Sequence, residues 1–439
     1  MRASQSSHLA VALVLLIMGS SVEVCAQMSP PASPITLSFE EALKRARSIN
    51  PELSAAVMQQ QVAHEDQVQA RAALLPSTSD STQYLYTEGN GTKTNTPIFI
   101  ANNAVHEYTS QIDVHEDFGA GQIFRMQRTR WAEALAKTKV EIARRGLFLV
   151  VVQDYYGVIR AQHNYGTAQR ADDEARRFES LTRMLENGGE VAHADVIKAQ
   201  LQSLQRTRDL SEAKVSLEKA RINLAALTFP IFNDSFNVVE DNSVPTLPDF
   251  HETQQLAKQN NLDVRSALAA LSVAHADVEI ARGTFLPTLS LDYIYGFDTT
   301  HFAFSTDGVS NLAYSGQATL NLPIWEWGAQ LSKVHQAEIQ TAQAKVELSF
   351  AQRQLLANLN SFYKEADVAH SELQSLHESL TLADDSLRLT TARYKGGEAK
   401  VLEVVDAQNT LTQTQNAYDD SVLRYRVAIA QLQTITGGF

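Results

Sequence analysis

The chain has 439 residues, 44% apolar and 20% charged, a balance that excludes an intrinsically disordered protein and suits about two or three domains. Its 37 basic and 50 acidic residues leave a net charge of −13. That excludes a nucleic-acid binder, which needs clustered Lys and Arg to displace counterions.

Residues 1–26 read as an export signal peptide. Arg2 gives a positive start, Leu9 to Met18 an apolar core, and Val24-Cys25-Ala26 small residues ahead of cleavage before Gln27. Cys25 is the only cysteine, and Val22-Glu23-Val24 before it matches a lipoprotein signal poorly, so cleavage is preferred to lipidation. A mature chain without cysteine has packing or oligomerisation, not disulfides, to stabilise it. No later stretch approaches the roughly 18 consecutive apolar residues of a spanning helix. Membrane crossing would then require strands.

Residues 27–35 carry prolines and read as an extended leader. Ser38 with Glu41 forms a capping-box pattern, and a helix is expected from there towards Leu75, kinked or restarted at Pro51. Pro76 stops it. Residues 77–88 and 107–118 read as two strands joined by a loop around Gly89-Asn90-Gly91. In the second, Tyr108, Ser110, Ile112 and Val114 alternate with Thr109, Gln111, Asp113 and His115. A proline-free helix is expected over 120–187, ended by Gly188-Gly189 in a left-handed terminus, and a return helix over 191–227.

Prolines 230, 245 and 248 mark an irregular connector, after which a helix is expected over 252–285, stopped by Pro287. Strands follow within 287–323: Leu289, Leu291, Tyr293, Tyr295 and Phe297 alternate with polar or small residues, as do Tyr314, Gly316, Ala318, Leu320 and Leu322. Ala329 to Lys395 contains neither proline nor glycine. Leu355, Leu359, Phe362, Ala366, Ala369, Leu373, Leu376, Leu380, Ala383 and Leu387 recur there at alternating steps of four and three, a seam of period 3.5. A helix over the run would be roughly 100 Å long. Gly396-Gly397 ends it, and a last helix is expected over 401–435.

One pattern is written twice. With a shift of 211, nine of the 21 positions from Ala56 to Pro76 are identical, including Val62-Ala63-His64 with Val273-Ala274-His275. A shift of 208 pairs Gly188-Gly189-Glu190 with Gly396-Gly397-Glu398. The expected division is a first repeat at 27–245 and a second at 246–439. Each repeat supplies two strands. Four strands cannot close a barrel, and an open edge cannot sit in lipid, so several chains must contribute; three would give about twelve strands.

Arg393-Tyr394-Lys395-Gly396-Gly397, followed by Leu402-Glu403-Val404-Val405-Asp406-Ala407-Gln408, resembles the signature of the outer-membrane efflux protein family, the TolC-like channel-tunnels. The resemblance extends over residues 36–436 through the duplicated layout and the Leu-Pro breaks. It implies a mainly α fold with a small β part, and a homotrimer; separately, the residues offer no Ser/His/Asp or Cys/His arrangement, so no catalytic, cofactor or metal site is expected. A trimeric α-helical barrel would continue into a 12-stranded transmembrane β-barrel, with an equatorial region near 228–250 and the termini. It implies a passive exit duct for efflux or type I secretion, in the outer membrane of a Gram-negative bacterium and extending into the periplasm. The partners would be outer-membrane lipid, a periplasmic adaptor protein, and an inner-membrane pump of RND, ABC or MFS type. The turns at Gly188, Gly189, Gly396 and Gly397 would face that machinery.

Other features have plainer readings. Asp384 and Asp385 fit either a lumenal acidic ring or a solvated helix face, and the second is preferred. His370 and His377 lack the converging ligands of a metal site. Gly91-Thr92-Lys93-Thr94 has Tyr86 where a phosphate loop needs glycine. Tyr293, Tyr295, Phe297, Tyr314, Trp325 and Trp327 are expected in interfacial aromatic belts. The competing function is an exported soluble coiled-coil scaffold or periplasmic adaptor without channel activity, which explains the seam but not the two-faced strands.

Overall fold

The computed structural model describes residues 35–86, 106–231, 235–240, 243 and 245–438. The signal segment, Cys25 and the loop at 87–105 lie outside the described residues.

The chain begins with β1 (Ile35–Leu37), α1 (Phe39–Ile49) and α2 (Pro51–Ala72), then β2 (Ser77–Tyr86) and β3 (His106–Phe118). Next come α3 (Ala120–Asn187), α4 (His193–Thr228) and β4 (Phe236–Val238). A similar series follows: α5 (Phe250–Asn260), α6 (Leu262–Gly283), β5 (Thr288–Thr299), a small hairpin β6 (Ser305–Thr306) and β7 (Val309–Ser310), then β8 (Ala313–Asn321), α7 (Ala329–Lys395) and α8 (Val401–Thr436). The helices of the two series match in length: α1 and α5 have 11 residues, α2 and α6 22, α3 and α7 68 and 67, α4 and α8 36.

The helix expected over 252–285 is two helices. Asn261 holds an extended conformation between them, and its side chain accepts the Val264 N–H at 2.9 Å, so it caps α6. Asn50 does the same between α1 and α2, with the Leu53 N–H at 2.7 Å and Pro51 in the first turn.

The long helices α3 and α7 run the length of a single helical layer. Near the sheet, neighbours follow in the order α2, α3, α6, α7; further away the order is α4, α3, α8, α7. The seam of α7 explains how one helix serves two partners. Seven of its ten expected residues are buried and Phe362, Leu376 and Leu380 half-buried, where α7 packs on α8. Nearer the sheet, Val334, Ala337, Thr341 and Ala344 continue the seam against α6. Around Leu355 the heptad gains four residues, a stutter that turns the apolar stripe from α6 towards α8.

Beside the layer, β1 pairs in parallel with β4, and α1 packs on α3 and α4. Leu37, Ala42, Val151, Tyr155, Val158, Leu224 and Phe236 form the core there. On the other half, α5 packs on α7 and α8.

Candidate functional site

The sheet has the order β2–β3–β5–β8, antiparallel throughout, so the first hairpin joins the second only through the β3–β5 ladder. Strand alternation gives it two faces. One carries Tyr84, Tyr108, Ile112, Val114, Phe118, Leu289, Leu291, Tyr293, Tyr295, Tyr314, Ala318 and Leu320 in register. Most of these large side chains are exposed, Tyr314 by 77%. Trp325 and Trp327 lie at the helix-side end, Trp327 exposed by 89%. Phe297 departs from the expected belt. It is 3% exposed, because the loop after β5 folds Phe302 and Phe304 edge-on against it at 5.4 and 5.6 Å.

From Tyr108 to Phe118 is ten residue steps along β3. At about 3.4 Å per residue and a strand tilt of about 40°, the band between these aromatics stands roughly 25 Å tall. Asp80 and Glu116 interrupt the apolar face, opposite Ile112 and Leu291.

The opposite face carries Glu107, Gln111, Asp113, His115, Asp117, Ser290, Asp292, Asp298, Gln317 and Thr319, and is hydrophilic apart from Leu85 and Ile294. His115 Nδ1 lies 2.6 Å from Asp292 Oδ1 and its Nε2 3.3 Å from Asp117 Oδ2. None of the four strands contains a lysine or arginine. Gly296 lies on this face, where β3 passes so close that an added Cβ would sit 2.1 Å from the Ser110 carbonyl oxygen.

Among the described residues, β2 and β8 each pair on one side only. The helical layer ends in the same way, with α2 and α4 along one border and α7 along the other. Apolar side chains stand exposed on both borders: Met58 and Val62 on α2, Ile197, Leu201 and Leu204 on α4, and Ile339, Val346, Phe350, Leu382 and Leu389 on α7.

At the far end the two helix–turn–helix tips pack together. The four tip glycines divide into two kinds. Gly189 and Gly397 have φ of +77° and +75°, while Gly188 and Gly396 are right-handed, at −80° and −83°. Only the second glycine of each pair therefore needs the left-handed region. Tyr394, 4% exposed, packs its ring at a tilt against Phe178, centroids 5.0 Å apart, and its hydroxyl lies 3.3 Å from Thr182 Oγ1. Val401, Val404 and Ala407 complete this core with Ala199 of α4. Arg393 is exposed; it donates to the Glu398 carbonyl at 3.2 Å and lies 3.5 Å from Glu403. Leu402 and Asp406 are exposed, and Gln408 is buried. The sequence marks Tyr394 through its motif, but nothing local marks Phe178 and Thr182, which reach it from α3.

Asp384 and Asp385 are exposed on α7. Asp385 lies 3.0 Å from Arg388. Asp384 lines an open groove of about 590 Å³ with Glu174, Arg177, Phe178, Leu387 and Arg388. Burial, and then the Asp384 charge, hold the Glu174 carboxyl above its ordinary range. No group of His, Cys, Asp and Glu fit to hold a metal occurs among the described residues, and no described helix is long and apolar enough to cross a membrane.

The sequence model described as "Outer membrane efflux protein" matches residues 253–438. The chain is similar to the outer membrane protein TolC of Escherichia coli, 24% identical over 406 residues, covering 89% of this chain and 80% of TolC. It is similar also to the cobalt-zinc-cadmium resistance protein CzcC of Cupriavidus metallidurans, 25% identical over 88% of this chain and 86% of CzcC. Among solved structures, the Campylobacter jejuni CmeC outer membrane channel superposes with a TM-score of 0.79 at 19% identity, covering 91% of this chain and 85% of CmeC. The Vibrio cholerae outer membrane protein VceC gives 0.78 at 18% identity, over 91% of this chain and 96% of VceC.

Proposed function

The chain is a member of the outer membrane efflux protein family, and from that premise we propose that it forms the outer-membrane exit duct of an efflux or type I secretion system. The carrying observation is that, among the described residues, sheet and helical layer both end in two unlike unpartnered borders. Unlike borders make a head-to-tail contact, and such contacts repeat into a closed ring when the rotation closes. In the ring, β2 of one copy meets β8 of the next, and the apolar residues of α2 and α4 cover those of α7. Three copies give a barrel of about twelve strands, which leaves no edge in lipid. The matched helix lengths support an internal duplication as the origin of the two halves.

The aromatic-bordered face then meets lipid, and the hydrophilic face lines the lumen. The roughly 25 Å band fits the apolar band of outer-membrane barrels. A soluble scaffold has no use for this exposed face. The family is one of transport proteins rather than enzymes, and the duct is passive. A periplasmic adaptor and an inner-membrane pump of RND, ABC or MFS type supply the energy and dock at the turns Gly188-Gly189 and Gly396-Gly397. Lumenal negative charge belongs to Glu107, Asp113, Asp117, Asp292 and Asp298 on the strands, rather than to Asp384 and Asp385, which share a groove with α3.

The test is to extract the mature protein from purified outer membranes, determine its mass in detergent, and measure its conductance in planar bilayers under a salt gradient. A trimer with steady, cation-preferring conductance is expected. A periplasmic monomer or dimer without conductance would return the chain to the scaffold reading.

A further inference from the structure

The described part of the segment between β4 and α5, residues 239, 240, 243 and 245–249, lies over the junction of α3 and α8. Most of its attachments do not change near neutral pH. The Tyr155 hydroxyl donates to the Val239 carbonyl at 2.6 Å, the Tyr425 hydroxyl to Pro245 at 2.7 Å, and Arg426 to Ser243 at 2.5 Å.

His163 of α3 is the exception. Its Nδ1 lies 3.0 Å from Asp419 Oδ1 on α8, and its Nε2 lies 2.9 Å from Glu240 Oε1 on the connector. Ionised carboxylates only accept hydrogen bonds, so meeting both requires a proton on each ring nitrogen. A neutral ring can meet only one. The Asp419 side chain is 3% exposed, whereas that of Glu240 is 46% exposed. Asp419 therefore cannot turn to water and keeps the remaining N–H, while Glu240 can leave. The other groups around the ring do not replace it. Arg160 is held 2.9 Å from Asp420, Arg426 donates to the Tyr156 hydroxyl at 2.7 Å, and Tyr156 and Tyr418 are the other ring side chains beside it.

We propose that His163 is a proton-controlled latch, which ties the connector at Glu240 to the α3–α8 junction when protonated and releases it when the ring becomes neutral. Asp419 most of all, and then Glu240, raise the imidazole pKa against the opposing effect of burial. With a raised folded pKa, the latch contributes fully below the unfolded value of about 6.5 and is lost as pH rises through the folded value. The connector is thus fastened in mild acid and loosened in mild alkali. This holds whether or not the chain forms a duct.

The experiment is hydrogen exchange of the full-length protein in detergent from about pH 5.5 to about pH 9, normalised to intrinsic rates, followed in peptides covering residues 235–249. Protection in the wild type should fall about threefold to tenfold across a midpoint above about 6.5, as expected for one partly exposed charged hydrogen bond. In His163→Gln the normalised profile should be flat. In Glu240→Gln it should also be flat, and protected at both ends, because an amide can accept from the imidazolium or donate to the neutral ring. A wild-type midpoint retained in both variants would overturn the latch. If His163→Gln does not fold, Glu240→Gln decides alone: a retained midpoint refutes the proposal, and its loss with protection kept in alkali supports it.

Discussion

A single methyl group at Gly296 should disconnect the two halves of the sheet. A Cβ there would lie 2.1 Å from the Ser110 carbonyl oxygen and 2.6 Å from Gln111 Cα. Both are backbone atoms, so no change of rotamer relieves the clash, and β3 and β5 must separate. Reaching even 3.0 Å from the Ser110 oxygen requires a shift of about 0.9 Å, enough to stretch neighbouring ladder bonds from about 2.9 to about 3.8 Å, beyond hydrogen-bonding range. Losing about two to four bonds at about 1 kcal/mol each, together with overpacking strain, makes Gly296→Ala destabilising by about 3 to 5 kcal/mol per chain. β3–β5 is the ladder that carries one hairpin to the other, so closure of the ring depends on it. The assay is the fraction of detergent-resistant oligomer recovered from outer membranes as a function of temperature. Gly316→Ala is the control, because a Cβ there meets nothing within 4 Å. Equal recovery and equal melting of the two variants would refute the close approach, and with it the register of the joining ladder.

Two further outcomes follow at the tips. Tyr394→Ala removes a buried ring from the contact with Phe178 and should cost about 3 to 5 kcal/mol of local stability, while Tyr394→Phe, which loses only the Thr182 bond, should cost about 1 kcal/mol or less. Hydrogen exchange of residues 178–200 and 387–407 checks this, and equal protection in the two variants would show that the ring does not join the hairpins. Gly397→Val forces a β-branched residue into a positive φ and should impair export without preventing oligomer assembly, whereas Gly396→Ala should be tolerated, its Cβ meeting the Arg393 carbonyl oxygen at an ordinary 3.5 Å. Antibiotic susceptibility of the two strains distinguishes them; equal susceptibility would remove the tip turns from the transport path.

Much of the architecture is legible in sequence, because its signals are local. Pro76 and Pro287 remove a backbone donor, so the helices before them stop and strands begin at Ser77 and Thr288. The alternation around Asp113 and His115 already separates one strand face from the other. What sequence misses depends on distant partners. Phe297 has the same alternation as Tyr295, yet the following loop covers it. Asn261 looks like an ordinary helical residue until its side chain is seen capping Val264. His163 gives no sign of its role, because Asp419 lies 256 residues away.

The rods, the strands, their breaks and the two-faced character of the sheet are all written in the residue pattern. These follow from dihedral preferences and from apolar periods of 3.5 and 2 that are complete within a few turns of chain. Four further features emerge with the folded layer: α7 divides its seam between α6 and α8 at Leu355, β3 joins β5, Tyr394 reaches Phe178, and Asp384 shares a groove with Glu174. An apolar stripe specifies that it must be covered. Which stripe covers it is decided by the geometry of the whole layer, where shape, register and stutter leave one arrangement that buries them together.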